Sequence, residues 1–343
     1  MRLFVGQLLK GRTASYRITK VLKDATVFQA KIVPSSQPAQ IDSNDLPCIV
    51  KHEPVEKFMV PYNRERACYE VESIAKSPYI RAMRDLVGHE HGHDIEDSAS
   101  QPQCMVFEWM DTDLWQFPSG PFRSGSKLPK LVAKSVLEAL AVFHDLNGVH
   151  TDVNPNNVFV SGIDDRCPVV KLGDLGNLAG NMKYRYQGLH IRAPEVWRGI
   201  GIFHSTDVWS LGVTLAHWLA SKVIFGPSNK IIQDMTEAWC LAKIIRLIGP
   251  LEDPADPEYG EEFATAAFLE KETFVHPTTG LEERFVNLGT IRQELEAVPG
   301  QKIDKGCIDF IESLLIIDHT RRPTAREALD HPWLRDIDGD DVD

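Results

Sequence analysis

Two short stretches of this chain carry side chains that could do chemistry together. The first, His150-Thr151-Asp152-Val153-Asn154-Pro155-Asn156-Asn157, sets one carboxylate among three amide side chains. The second, Asp174-Leu175-Gly176, begins seventeen residues after Asn157. An aspartate can accept a hydrogen bond, and then a proton, from an attacking hydroxyl. Asn and Asp oxygens are hard ligands of the kind that suits magnesium. Proton transfer and the holding of a hard cation are the two kinds of chemistry on offer.

Such side chains need elements that deliver them. From Leu131 to Leu146, Val132, Val136, Leu140 and Phe143 recur at three- and four-residue steps, which predicts a helix, and Gly148 suits the position past its end. That helix leads straight to His150. After Asn157, the β-rich runs Val158 to Ser161 and Pro168 to Leu172 predict a hairpin returning to Asp174. Nearer the start, Tyr16 to Leu22 and Val27 to Val33 predict another hairpin across Lys23-Asp24-Ala25-Thr26. Pro34 to Pro47 is polar and proline-containing, hence a loop, and Cys48 to Lys51 follows as a strand. Pro61 to Ala75 has helical character, with Pro61 in its first turn. The alternating histidines of Gly88 to Asp94 could bind a transition metal, although a solvated loop is the preferred interpretation.

The motifs in this order resemble those of the eukaryotic protein kinases, whose catalytic loop is followed by a metal-binding Asp-Phe-Gly. Ile191-Arg192-Ala193-Pro194-Glu195, Asp207-Val208-Trp209-Ser210-Leu211-Gly212, Asp318 to Thr324 and His331-Pro332-Trp333-Leu334 extend the likeness over Tyr16 to Leu334. The resemblance implies an α+β, bilobal protein-kinase-like fold. Residues 1–110 would form an N-lobe, a small antiparallel sheet with one main helix. Residues 111–336 would form a mainly helical C-lobe with an insert at about 250–300, and 337–343 an acidic tail. It further implies ATP and Mg2+, with Asp152 as base, Asn157 and Asp174 as magnesium ligands, and Lys51 as phosphate clamp. Glu65 would pair with Lys51, with Glu72 as the alternative. Val27 would cover the nucleotide, Phe107 guard the back of its pocket, and the backbone of Glu108 and Met110 bond the adenine edge. Asp113 would sit near the ribose, and a buried Glu195–Arg322 bridge would be structural. The arginine before Ala-Pro-Glu, Ala242 to Leu251 and the insert resemble the cyclin-dependent and SR-protein kinase group, and Leu175 and Tyr79-Ile80-Arg81 lean to the SR-protein side.

Several positions depart from the family pattern. The first hairpin lacks every expected glycine and is about three residues short, so its backbone N–H groups should grip phosphate poorly. Asn154 replaces the catalytic-loop lysine, and Gly188 replaces the threonine of the substrate-side loop. Thr151 replaces the arginine that receives an activating phosphate. No serine or threonine lies between Asp174 and Glu195, which leaves Tyr184 and Tyr186, with Lys183, Arg185 and Arg192 as cations that could receive a phosphate. The expected function is an ATP-dependent serine/threonine protein kinase of low activity; the alternative is a pseudokinase acting as a protein-binding scaffold.

Composition is consistent with a folded domain: 343 residues, 43% apolar and 25% charged, are enough to bury a sizeable core. A net charge of −12 argues against nucleic-acid and anionic-membrane partners and leaves basic protein substrates open. The six cysteines show no CxxC pair and read as reduced thiols of a cytoplasmic or nuclear protein. The apolar start, Met1 to Leu9, is too short for a signal peptide, and no run is long enough to span a membrane.

Overall fold

The computed structural model describes residues 2–24, 26–33, 47–53, 55, 58–88, 102–163, 168–177 and 185–337. The His89 to Asp94 run, Lys183, Tyr184, Cys167 and the tail from 338 lie outside them. The chain forms two compact units, Met1–Asp111 with Gly173–Asn177, and Thr112–Leu172 with Leu178–Asp343.

The first unit is built on a six-stranded antiparallel sheet of order β1-β2-β3-β4-β6-β5. Its strands are β1 (Leu8–Lys10), β2 (Ser15–Lys23), β3 (Val27–Val33), β4 (Pro47–His52), β5 (Met83–Val87) and β6 (Cys104–Glu108). β1 lies in the stretch that sequence patterning left unassigned; of its three residues only Leu9 turns inward. β2 alternates through Tyr16 and Ile18 and then meets bulges at Ile18/Lys20 and Val21/Lys23, which leave Val21 and Leu22 exposed. Leu9, Tyr16, Ile18, Phe28, Ala30, Val50, Val87 and Val106 form the core.

The sheet nearly closes on itself, because Gly11, just past β1, bridges Val87 of β5. Asp85 is the fastening. Its carboxylate accepts the backbone N–H groups of Arg12 and Thr13, both at 3.0 Å, and the hydroxyls of Thr13 and Tyr16, both at 2.8 Å. A Cβ on Gly11 would lie 2.3 Å from Asp85 Oδ2, so only glycine fits the seam.

The single helix expected over Pro61 to Ala75 is in fact two. α1 (Met59–Cys68) ends in a turn, and α2 (Glu72–Ala75) restarts after an extended Val71. Tyr69 explains the break: its hydroxyl donates to Arg81 O at 2.7 Å and its ring meets Phe107 edge-on at 5.6 Å. The bend after it lets Ile74 bury while Glu72 faces solvent.

In the second unit a small sheet, β7 (Thr112–Asp113), β8 (Val158–Ser161) and β9 (Val169–Leu172), lies with α3 (Leu128–Asp145). α3 starts three residues earlier than expected, since Pro129 in a first turn forfeits no helical hydrogen bond. Asn147, not Gly148, takes the left-handed position after it, with φ +56°. The helical body follows: α4 (Pro194–Trp197), α5 (His204–Ala220) and α6 (Thr236–Leu247). The stretch expected as an insert holds α7 (Gly260–Lys271), the hairpin β10 (Thr273–Val275) and β11 (Glu282–Arg284), and α8 (Ile291–Glu296). α9 (Lys305–Leu314) and α10 (Ala325–Leu329) complete it. The fully buried Arg322 clasps Glu195 through two bonds of 2.8 and 2.9 Å and donates to Ser205 O and Ile316 O, so neither charge is stranded. Among the described residues no helix is long and apolar enough to cross a membrane, and Cys48, Cys68, Cys104, Cys240 and Cys307 are buried free thiols.

Candidate active site

In the first unit Lys51, on β4, bridges two carboxylates. Its ammonium donates to Glu65 Oε2 at 2.5 Å and to Asp174 Oδ1 at 2.9 Å. Glu65 is on the inward face of α1 and 2% exposed, whereas Glu72 faces solvent on α2 and pairs with Lys76. Burial alone would disfavour the Lys51 ammonium, but Glu65 and Asp174 outweigh it and raise its pKa above the ordinary lysine value. The lysine is therefore charged throughout the physiological range.

The Asp174-Leu175-Gly176 turn is fastened to the same helix. Leu175 N–H donates to Glu65 Oε1 at 3.4 Å, and Arg64 donates to Gly176 O at 3.3 Å. Leu175 is fully buried, and Asp174 takes a left-handed φ of +62° that leaves its carboxylate half-exposed. A bonded Lys51 and a positioned, half-exposed Asp174 carboxylate fit a phosphate-bound cation.

Val27 is half-buried at the start of β3. The turn before it is tight: Lys23 pairs with Val27, Asp24 has φ +34°, and Thr26 N–H is spent on Lys23 O at 2.8 Å. Phe107 and Met110 are buried. Glu108 is engaged three ways. Its N–H donates to Ala82 O at 3.0 Å and its carboxylate accepts Ala82 N–H at 2.7 Å. Its carbonyl accepts Arg81 Nε and Nη2 at 3.2 and 3.0 Å.

In the second unit the loop after α3 is pinned by α5. Asp207 is fully buried, and its two oxygens accept His150 N–H at 2.7 Å and Thr151 N–H at 2.8 Å. Thr214 Oγ1 holds Val153 O at 2.9 Å. These bonds sustain a φ of +64° at Thr151, an unfavourable conformation for a β-branched residue. Two amides then hold Asp152: Asn154 Nδ2 donates to its Oδ1 at 2.9 Å and Asn157 Nδ2 to its Oδ2 at 3.0 Å. With its nitrogen so used, Asn157 has its oxygen left to offer a cation, and an amide oxygen is a suitable magnesium ligand. Asn154 Oδ1 also accepts Asn156 N–H at 3.0 Å, capping the one-turn helix Pro155–Asn157. Asp113 is occupied as a turn cap, accepting Gln116 N–H and Nε2 at 2.9 and 2.7 Å. Among the described residues no His, Cys, Asp and Glu cluster of three or more could hold a metal.

Sequence patterning assigned Tyr69 and Asp85 no role and used Arg81 only as part of a family likeness. Each acts through a partner remote in sequence, and no local period marks such a pairing. The one available signal was Arg81 itself, a cation set among apolar residues at the edge of a strand.

Residues 64–334 match the family described as the protein kinase domain, and this chain belongs to that family. Cyclin-dependent kinase B2-2 of Arabidopsis thaliana is 24% identical over 289 residues, covering 81% of each chain. Serine/threonine-protein kinase AFC1 of the same plant is 27% identical over 67% of this chain and 54% of its own length. Dual specificity tyrosine-phosphorylation-regulated kinase 3 of Rattus norvegicus is 28% identical over 67% of this chain, which spans 41% of that relative. A chain in the crystal structure of the yeast RNA Pol II CTD kinase CTDK-1 complex shares the fold. It has a TM-score of 0.62 at 18% identity and covers 93% of this chain and 92% of that one. The fold is thus kinase-like, an antiparallel curled sheet in one unit and a helical body in the other.

Proposed function

We propose that the chain is an ATP- and magnesium-dependent serine/threonine protein kinase of low rate. The observation that carries this is the bridge from Lys51 to Glu65 and Asp174, which holds a phosphate-binding cation beside a metal-binding carboxylate. Asp152, oriented by Asn154 and Asn157, would accept the proton of a protein hydroxyl as that oxygen attacks. Lys51 would orient the nucleotide phosphates, and Asn157 and Asp174 would hold the magnesium. The ion, when bound, supplies neutralisation of the charge developing on the phosphates. The net charge of −12 favours basic protein substrates.

The low rate follows from Asn154. An amide there fixes the base but brings no cation to the transferring phosphoryl group, and loss of one such donor costs roughly 10²- to 10³-fold. A second interpretation, a scaffold that binds proteins without transferring phosphate, is favoured by the tight turn before Val27, where the Thr26 N–H is already spent on Lys23 O.

The deciding experiment incubates the purified protein with labelled ATP, magnesium and a panel of basic proteins, beside Asp152→Asn. Transfer that disappears in the variant supports the enzyme. Equal labelling by both, or none by either, supports the scaffold.

A further inference from the structure

Arg81 lies in the segment leading into β5, and its guanidinium donates to the end of β6. Both Nε and Nη2 donate to the carbonyl oxygen of Glu108, at 3.2 and 3.0 Å. A carbonyl oxygen has two lone pairs, so this acceptor is filled. The arginine is held there by more than that bond. It is half-buried, with its charge 5.6 Å from the centre of the Phe107 ring, and its own carbonyl is tied to the Tyr69 hydroxyl. Glu108 cannot rotate away either, because its N–H and its carboxylate are both bonded to Ala82.

We infer that Arg81 is a specificity-determining residue: it occupies the acceptor that an adenine 6-amino group would need, so the chain binds purine nucleotides without reading that group. The inference rests on the nucleotide-binding role proposed above. An incoming 6-amino donor would have to displace two charge-assisted bonds and would recover one neutral bond in return, which is the weaker arrangement. The remaining recognition, by Met110 and by the phosphate-binding residues, treats a purine the same way with or without its 6-amino group. A conservative change that removes the N–H donors but keeps the apolar stem, Arg81→Met, should release the Glu108 carbonyl and restore the distinction.

The experiment is calorimetric titration of the full chain with two nucleotides in magnesium, ATP and purine riboside triphosphate, which lacks only the 6-amino group. Wild type should bind ATP no more tightly than the analogue, because the 6-amino group finds its acceptor taken. Arg81→Met should bind ATP more tightly than wild type does and prefer it over the analogue by roughly 2- to 12-fold, the worth of one net hydrogen bond. ATP binding seen only in the variant is a stronger form of the same result. Wild type that already prefers ATP to the same degree overturns the inference while leaving nucleotide binding intact, and so does a folded variant with no preference. The wild-type ratio decides alone should Arg81→Met fail to fold. If neither nucleotide binds either folded protein, the nucleotide-binding role falls and the inference falls with it.

Discussion

Asn154 has two tasks at once, and they make opposite demands on any replacement. Its amide nitrogen holds the Asp152 carboxylate, and its oxygen caps the turn Pro155–Asn157. Asn154→Lys should raise the transfer rate by returning a cation to the phosphoryl group, yet lose the cap, at a cost of about 1 kcal/mol. Gly188→Thr is sterically close to tolerable, because a Cβ there would sit 3.3 Å from the His190 ring edge, which must move slightly. The family resemblance puts both positions in one network around the transferring phosphoryl group, so their effects on rate should not add. Single-turnover rates and unfolding midpoints of both single variants and the double variant test this. A double variant no faster than wild type would place the rate limit in the turn before Val27 or in a rearranged site.

Two elements carry consequences that their lengths do not suggest. The seam between β1 and β5 depends on Asp85, which is 6% exposed. Burial works against its charge, but the N–H and O–H donors from Thr13, Tyr16 and Leu86 overcome that and hold its pKa below the ordinary aspartate value. A depressed carboxylate stabilises the fold above its unfolded pKa, and that stabilisation is lost as pH falls through the folded value. Asp85→Asn should therefore cost on the order of 2 kcal/mol at neutral pH, with the difference from wild type shrinking only below about pH 4. Chemical denaturation at pH 7, 5 and 3 measures it; a gap that widens in acid would refute the assignment. The segment before α4 shows a different economy. Arg185 grips both oxygens of Glu262 at 2.9 Å and stacks 3.4 Å above the Tyr259 ring, while Arg192 donates to Gln187 O at 3.0 and 2.8 Å and stacks on Trp197. The two described cations that could receive a tyrosine phosphate are thus engaged already. Phosphatase treatment should leave nucleotide binding and transfer unchanged, and a loss reproduced by Tyr184→Phe or Tyr186→Phe would show a switch in use.

For the whole molecule the telling quantity is how much a nucleotide stabilises it. A ligand at about ten times its dissociation constant adds about 1.4 kcal/mol to folding, and a unit of this size gains roughly 2–4 °C in melting temperature per kcal/mol. Weak binding predicts a rise of a few degrees at saturating ATP with magnesium and almost none without it. Asp174→Ala should abolish the magnesium-dependent part while Lys51 keeps Glu65 as its partner. A large shift indifferent to magnesium would contradict the assigned ligands.

The order of motifs, the helix that leads into His150 and the hairpin that returns the chain to Asp174 were legible in the residues alone. They are set by local spacing and by apolar periodicity, which every helix or strand must show wherever it packs. The Glu195 and Arg322 pairing was implied by the family resemblance, and burial of both charges explains why neither is left alone. Tertiary structure decided the rest. β1 has three residues and gains its place only by closing the sheet onto β5. Glu65 stands opposite Lys51 because Tyr69, packed on Phe107, ends α1 and directs Glu72 into solvent. Arg81 and Arg185 are long side chains that choose among acceptors brought near by folding. Such a choice depends on geometry between residues remote in sequence, and no period or spacing along the chain records it.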